Sequence, residues 1–306
     1  MAIKVNIPGV LTTIQDNGRV GFQKSGMTGS GVMDACAYRK GNYLVGNKEN
    51  VAVLELTLYG GEYEFTEDAI IALTGADMTP SVQNVQVPMN KAIQVKVGDV
   101  LKLGAAQKGC RTYLAVSGGI DVPLIMNSRS TNLQCKVGGF CGRPVRSGDE
   151  LPIGSVKAKF ETIAGRKVLE SQYPEEVLVH VIPGPQEEYF TKNGISRFYS
   201  ESYEVTDACD RMGYRLNGAR VESVGGTDIV SDGIVYGSIQ IPASGKPIIL
   251  MADHQTTGGY AKIGTICQAD LWKVAQCRPG NHIKFKKISV KDAQKLGRSE
   301  RKAECF

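Results

Sequence analysis

A chain of 306 residues, 42% hydrophobic and 22% charged, can bury the core of one large or two medium globular domains, which excludes a disordered or low-complexity protein. Its net charge of +5 is spread along the sequence without an RNP, zinc-finger or helix-turn-helix pattern, so nucleic acid is not an expected partner. The N-terminus MAIKVNIPGV lacks the apolar core of a signal peptide, and no run approaches the roughly 20 apolar residues of a membrane span, so a cytoplasmic chain with its eight cysteines reduced is expected.

Residues 10 to 31 begin as a β-branched strand and become a Gly-rich polar loop carrying Gln15, Asp16, Asn17, Arg19 and Gln23. A loop so polar is not core, and Arg19 within Asp-x-Gly-Arg offers a cation for a carboxylate. Ser30 is the expected cap of a helix from near Val32 to Gly46, with Asp34 in its first turn, where a carboxylate suits the helix dipole. Strands then dominate: 54–58, 70–74, 93–97, 100–103 and 112–116 are apolar or alternating. Asp77 follows the second of these, either serving a cleft or marking a strand end. Cys135 and Cys141 are too loosely spaced for a metal site, and none is expected.

Residues 91–103, KAIQVKVGDVLKL, align without a gap on 273–285, KVAQCRPGNHIKF, and Val145–Ile153 is a fainter third copy. The echo predicts equivalent hairpins in two related β-barrel-like halves. A boundary within 157–176 gives domains 1–165 and 166–306, whose edges are free to interleave.

In the second half Pro183-Gly184-Pro185 is expected to open a short helix, QEEYFTKN, stopped by Gly194. Asp210 and Arg211 lie in a turn, and the guanidinium there suits a carboxylate, whether a ligand's or a neighbouring loop's. The most informative stretch is 231–266. Two apolar runs, 239–242 and 247–251, read as a buried hairpin and lead directly into Asp253-His254-Gln255-Thr256-Thr257-Gly258-Gly259. Polar residues on a rigid strand end, followed by glycines that let backbone approach a ligand, are how a site is built. His254, one of three histidines, titrates near neutral pH and suits general acid or base work, although a hydrogen-bonded structural histidine fits the local sequence equally. The Gln15-Asp16 loop, the Asp210-Arg211 turn and the Asp253-His254-Gln255 strand end are expected to line one cleft.

Thr13-Ile14-Gln15-Asp16-x-Gly18-Arg19-x-Gly21, Gly29-Ser30-Gly31-x-Met33-Asp34, Leu73-Thr74-Gly75-Ala76-Asp77, Gly138-Gly139-Phe140, Asp210-Arg211-Met212-Gly213 and Asp253-His254-Gln255-Thr256-x-Gly258-Gly259-Tyr260 occur in one order. In that order they resemble the allophanate hydrolase subunit 2 family, over nearly the whole chain. The resemblance implies a mainly β fold with some α, built as two related β-barrel-like subdomains of cyclophilin-like character. It also implies a role beside a subunit 1 type partner, as in an ATP-dependent 5-oxoprolinase, where a further subunit completes a hetero-oligomer that opens a lactam to glutamate. Two alternatives come with it: a carboxyltransferase component using carboxybiotin on a urea-like substrate, and a regulatory partner of a histidine-kinase inhibitor. Under the enzyme reading His254, Asp253, Gln255 and Lys262 are the candidate catalytic residues. Gln15, Asp16, Arg19, Asp34, Asp77, Asp210, Arg211, Gly258 and Gly259 are the candidate substrate-binding residues.

Overall fold

The computed structural model describes residues 2–155 and 158–304; Lys157, at the start of the expected boundary, and Cys305 lie outside them. The protein is mainly β with some α, and its contacts divide it into two compact units, Met1–Val20 with Ser30–Tyr173 and Gly21–Gly29 with Pro174–Cys305.

The first unit contains β1 (Ala2–Ile7), β2 (Leu11–Gln15), α1 (Ala35–Leu44), β3 (Val53–Thr57), β4 (Tyr59–Phe65), β5 (Ala69–Gly75), β6 (Ser81–Val82), β7 (Val85–Gln86), β8 (Ala92–Val95), β9 (Val100–Ala105), β10 (Arg111–Val116), β11 (Glu150–Pro152) and α2 (Phe160–Ile163). One sheet has the order β11-β1-β4-β9-β6-β7 and the other β2-β3-β10-β5-β8. Ile3, Val5, Tyr63, Phe65 and Leu101 from the first sheet and Ile14, Leu54, Leu56, Leu73 and Leu114 from the second form a single buried cluster. Tyr38 and Leu44 of α1 cover the other face of the second sheet at Ala72, Tyr113 and Ala115. Strand β10, covered on both faces, is buried at every position and reads as an unbroken run rather than an alternating one.

Asp34, not Ser30, is the N-cap of α1: its carboxylate accepts from Ala37 N at 2.8 Å. Ser30 instead takes a left-handed φ of 54° and accepts from Asn132 Nδ2, so the helix starts at Ala35 rather than directly after that serine.

The second unit contains β12 (Glu176–Pro183), α3 (Lys192–Ser200), β13 (Ser202–Cys209), β14 (Gly213–Asn217), β15 (Asp228–Gly233), β16 (Ser238–Gln240), β17 (Ile248–Leu250), β18 (Thr257–Tyr260), β19 (Lys262–Ile266), α4 (Leu271–Ala275), β20 (His282–Lys287) and α5 (Val290–Glu304). Seven strands close a barrel in the order β12-β19-β16-β17-β14-β13-β20. The parallel pairing of β12 with β20, from Glu176↔His282 to Val181↔Lys287, completes it. Phe198 of α3 stacks on Phe285 of β20 with centroids 4.4 Å apart, and Tyr203 leans on both. Strands β15 and β18 form a separate two-stranded ribbon.

Helix α3 corrects one expectation, because Gly194 lies inside it. The hydroxyl of Thr191 caps it by accepting from Gly194 N at 2.9 Å, and a Cβ on Gly194 would stand 2.5 Å from the Glu222 carbonyl oxygen. The glycine marks a close backbone approach rather than a stop.

The sequence echo also resolves differently from a duplicated hairpin. Lys91-Ala92-Ile93 enters strand β8, whereas Lys273-Val274-Ala275 belongs to helix α4. The strands that follow have different neighbours: β9 lies antiparallel to β4 and β6, and β20 lies parallel to β12 and antiparallel to β13. The two segments therefore do not occupy equivalent sheet positions.

What recurs is the turn, in all three copies. Lys96 N–H donates to Asp99 Oδ2 at 2.7 Å, Arg146 N–H to Asp149 Oδ2 at 2.8 Å and Arg278 N–H to Asn281 Oδ1 at 3.0 Å. Gly98, Gly148 and Gly280 have φ of 84°, 87° and 85°, the left-handed value a type II turn needs at its third position. Each turn docks on a strand by the same two bonds: the glycine N–H donates to the carbonyl of Phe65, Val5 or Val205, and the N–H of that residue donates to the Asp or Asn carbonyl. Asn281→Ala, which orphans the Arg278 N–H, should cost about 1 kcal/mol in urea unfolding, whereas Asn281→Asp keeps the acceptor and should cost less. Equal losses in the two variants would show that the side-chain bond carries no stability.

Candidate functional site

The expected hairpin is present: β16 pairs with β17 through Ile239↔Ile249 and Gln240↔Ile248, closed by the Gly245 N–H to Pro242 carbonyl bond at 2.8 Å. β17 ends at Leu250, and the chain turns at once, His254 N–H donating to the Met251 carbonyl at 3.0 Å. This turn is joined to the Asp210–Gly213 turn by two backbone bonds, Met251 N to Met212 O and Asp253 N to Arg211 O. Side chains reinforce the junction. Arg211 Nε donates to Asp253 Oδ2 at 2.9 Å and Nη2 to Oδ1 at 3.2 Å, a two-point pair whose side chains are 5% and 3% exposed. Asp210 faces its own backbone, its Oδ1 accepting from Met212 N and Gly213 N.

His254 is 4% exposed, so it is a buried residue. Its Nδ1 lies 2.7 Å from the Gln255 carbonyl oxygen. A carbonyl only accepts, so Nδ1 carries the proton and Nε2 keeps its lone pair. Burial pushes the imidazole pKa below its ordinary value, against the smaller upward pulls of the Gln255 carbonyl and the Asp253 charge. The ring is therefore neutral at pH 7 and presents a base.

A Cβ on Gly258 would lie 2.6 Å from Gln240 Nε2 and 3.4 Å from Gln255 Nε2, so two side-chain amides close over bare backbone. At Gly259 the nearest atom would be 3.5 Å away, ordinary contact. Gln240 of β16 is the register partner of Lys262 on β19 and donates to the Tyr260 carbonyl. The Lys262 ammonium, on a side chain 6% exposed, donates to Asp232 Oδ2 at 2.7 Å. That hydrogen bond, followed by one from Gly233 N–H, holds the Asp232 carboxyl below the usual carboxylate range, with a smaller contribution from the Gln186 side chain. Sequence reasoning misses Asp232, Gln186 and Gln240. Only the Asp-Gly dipeptide at 232–233 carries a signal, and it reads as a turn.

The other sequence candidates belong to the first unit. Both Asp16 carboxylate oxygens are engaged by protein donors, the Ser128 and Ser130 hydroxyls at 2.6 Å, Arg129 N at 2.6 Å and Gly18 N at 2.8 Å, so the carboxylate ties two loops together. Gln15 Nε2 donates to Thr13 Oγ1 and to the Thr131 carbonyl, and Arg19, 2% exposed, donates to the Ser130 carbonyl. Asp34 is the cap of α1, and exposed Asp77 accepts from Thr79 N in a turn. Among the described residues no group of three or more His, Cys, Asp or Glu is placed to hold a metal, and no helix is long and apolar enough to cross a membrane.

The family model for the carboxyltransferase domain, subdomain A and B, matches residues 25–287, and the chain belongs to that family. A 5-oxoprolinase subunit of Escherichia coli is 37% identical to it over 98% of this chain and 96% of its own. The urea amidolyase of Lachancea kluyveri is 35% identical over 98% of this chain, which spans only 18% of that longer protein. Among solved structures, the urea carboxylase of Kluyveromyces lactis superposes with a TM-score of 0.91 at 31% identity over 99% of this chain and 29% of its own.

Proposed function

We propose that the chain is the corresponding subunit of an ATP-dependent 5-oxoprolinase that opens the lactam of 5-oxoproline to glutamate, acting in the cytoplasm with a subunit 1 type partner and a further subunit. The observation that carries this reading is the end-to-end match to the 5-oxoprolinase subunits of Escherichia coli and Haemophilus influenzae, in which neither sequence has a large unmatched portion. A lactam carbonyl is a poor electrophile. Transfer of the ATP γ-phosphoryl group to its oxygen, with release of ADP, makes the carbon reactive; one water adds there, the C–N bond breaks to leave an acyl phosphate on the freed carboxyl, and a second water hydrolyses that to carboxylate and phosphate. Neutral His254 takes the proton from the attacking water through Nε2, Lys262 supplies positive charge to the bound substrate, and the Arg211–Asp253 pair and Gln255 fix the imidazole.

The TM-score of 0.91 to a urea carboxylase favours a second reading, a carboxyltransferase component that moves a carboxyl group from carboxybiotin to a urea-like nitrogen. Co-expression with the subunit 1 type partner and the further subunit separates the two. Glutamate formed from 5-oxoproline only when ATP and all subunits are present is the expected result. Biotin-dependent carboxylation of urea with no glutamate formed would replace it, and partner binding with neither activity would leave the regulatory role.

A further inference from the structure

Lys262 and its counter-ion are unequally buried. The lysine side chain is 6% exposed, and the carboxylate that neutralises it, Asp232, is 54% exposed. A cation confined in a protein requires a partner charge. Asp232 is carried on the β15–β18 ribbon, which is not part of the barrel and whose pairing is interrupted between Asp228 and Asp232.

The place Asp232 occupies is shaped for a carboxylate. One oxygen receives the Lys262 ammonium at 2.7 Å, and the other receives the Gly233 N–H at 2.7 Å. The Gln186 side chain stands beside the carboxylate, its oxygen fixed by accepting the Lys262 N–H at 3.2 Å, and contributes to holding the carboxyl pKa down. Lys262 is the first residue of the barrel strand β19, and Gln186 is held to it by the Lys262 N–H.

We propose that Lys262 and Gln186 form an anion subsite for a small carboxylate ligand, and that Asp232 is an internal placeholder which the ligand's carboxylate displaces. This deepens the proposed function, on which it rests for the choice of ligand: 5-oxoproline carries one carboxylate beside its lactam. Displacement exchanges one carboxylate for another on the Lys262 ammonium, so the lysine is never without a counter-ion, and releasing Asp232 costs little because the carboxylate is already half in water. An empty subsite is also kept closed to adventitious anions.

The test is calorimetric titration of the full chain with 5-oxoproline, and with acetate as the bare carboxylate. Asp232→Asn removes the competing charge and should bind both at least fivefold more tightly than wild type, with a larger rise in Tm at saturating ligand. Lys262→Met should abolish binding in either background, and Gln186→Leu should weaken it several-fold. Binding to Asp232→Asn that is no tighter than to wild type overturns the placeholder role and makes Asp232 an ordinary structural partner. Binding that survives Lys262→Met overturns the subsite. Should Asp232→Asn fail to fold, Asp232→Ala, which removes the same charge with a smaller side chain, makes the same comparison and should also bind more tightly than wild type. Turnover does not enter the titration, so its failure leaves the 5-oxoprolinase reading standing, and a failed turnover assay leaves a positive titration standing.

Discussion

Arg211→Met should lower the free energy of unfolding by about 3–5 kcal/mol, the range found when one partner of a buried ion pair is removed. The expectation rests on where the pair sits rather than on its attraction. With Arg211 and Asp253 at 5% and 3% exposure, the variant leaves a carboxylate in the interior with its cation gone. Asp253→Leu takes the counter-charge from the guanidinium, and the double variant Arg211→Met/Asp253→Leu should recover much of the loss, since it removes both charges together. Urea unfolding of the three variants closes a double-mutant cycle. Losses below 1 kcal/mol in both single variants would mean that water reaches the pair and that the two turns are held by their backbone bonds alone.

The hairpin at 238–250 is legible in the sequence because two apolar runs flank a Gly-containing turn, and that pattern has one common solution. The turn echo is legible as chemistry but not as topology. A basic residue, a glycine and an Asp or Asn specify a type II turn by local bonds, whereas the element before the turn is set by packing. In Lys273-Val274-Ala275 the apolar residues are buried in a helix as they would be in a strand, and so short a run does not distinguish the two. The start of α1 escapes the sequence for a related reason. Ser30 and Asp34 are both good caps, and the choice between them is made by the Asn132 amide that occupies Ser30. At the site, polar residues directly after a buried strand point to Asp253, His254 and Gln255, but the Asp232 to Lys262 contact spans 30 residues and depends on the register of the ribbon. No local pattern records that.

His254→Gln should reduce turnover of the assembled enzyme by about 10²–10⁴-fold, the usual contribution of a general base, and it should also change how stability depends on pH. The imidazole is 4% exposed and donates to the Gln255 carbonyl, so removing it leaves that acceptor unpaired and should cost about 1–3 kcal/mol. The pH effect has a definite sign. Burial holds the folded-state pKa of His254 below the ordinary value of about 6.5, so between those two values the unfolded chain binds the proton and the folded one does not. The stability of the neutral ring is fully present above about pH 6.5 and is lost as pH falls through the folded-state pKa. Wild type should therefore lose stability over that window relative to His254→Gln, which carries no titrating group there. Urea unfolding of both proteins at pH 7.5, 6.5 and 5.5, paired with turnover of the assembled complex at pH 7.5, reads the two effects separately. Parallel stability curves would show that the ring titrates as freely in the folded protein as in the unfolded one. Full turnover in the variant would remove His254 from the chemistry and leave it the structural role its hydrogen bond already provides.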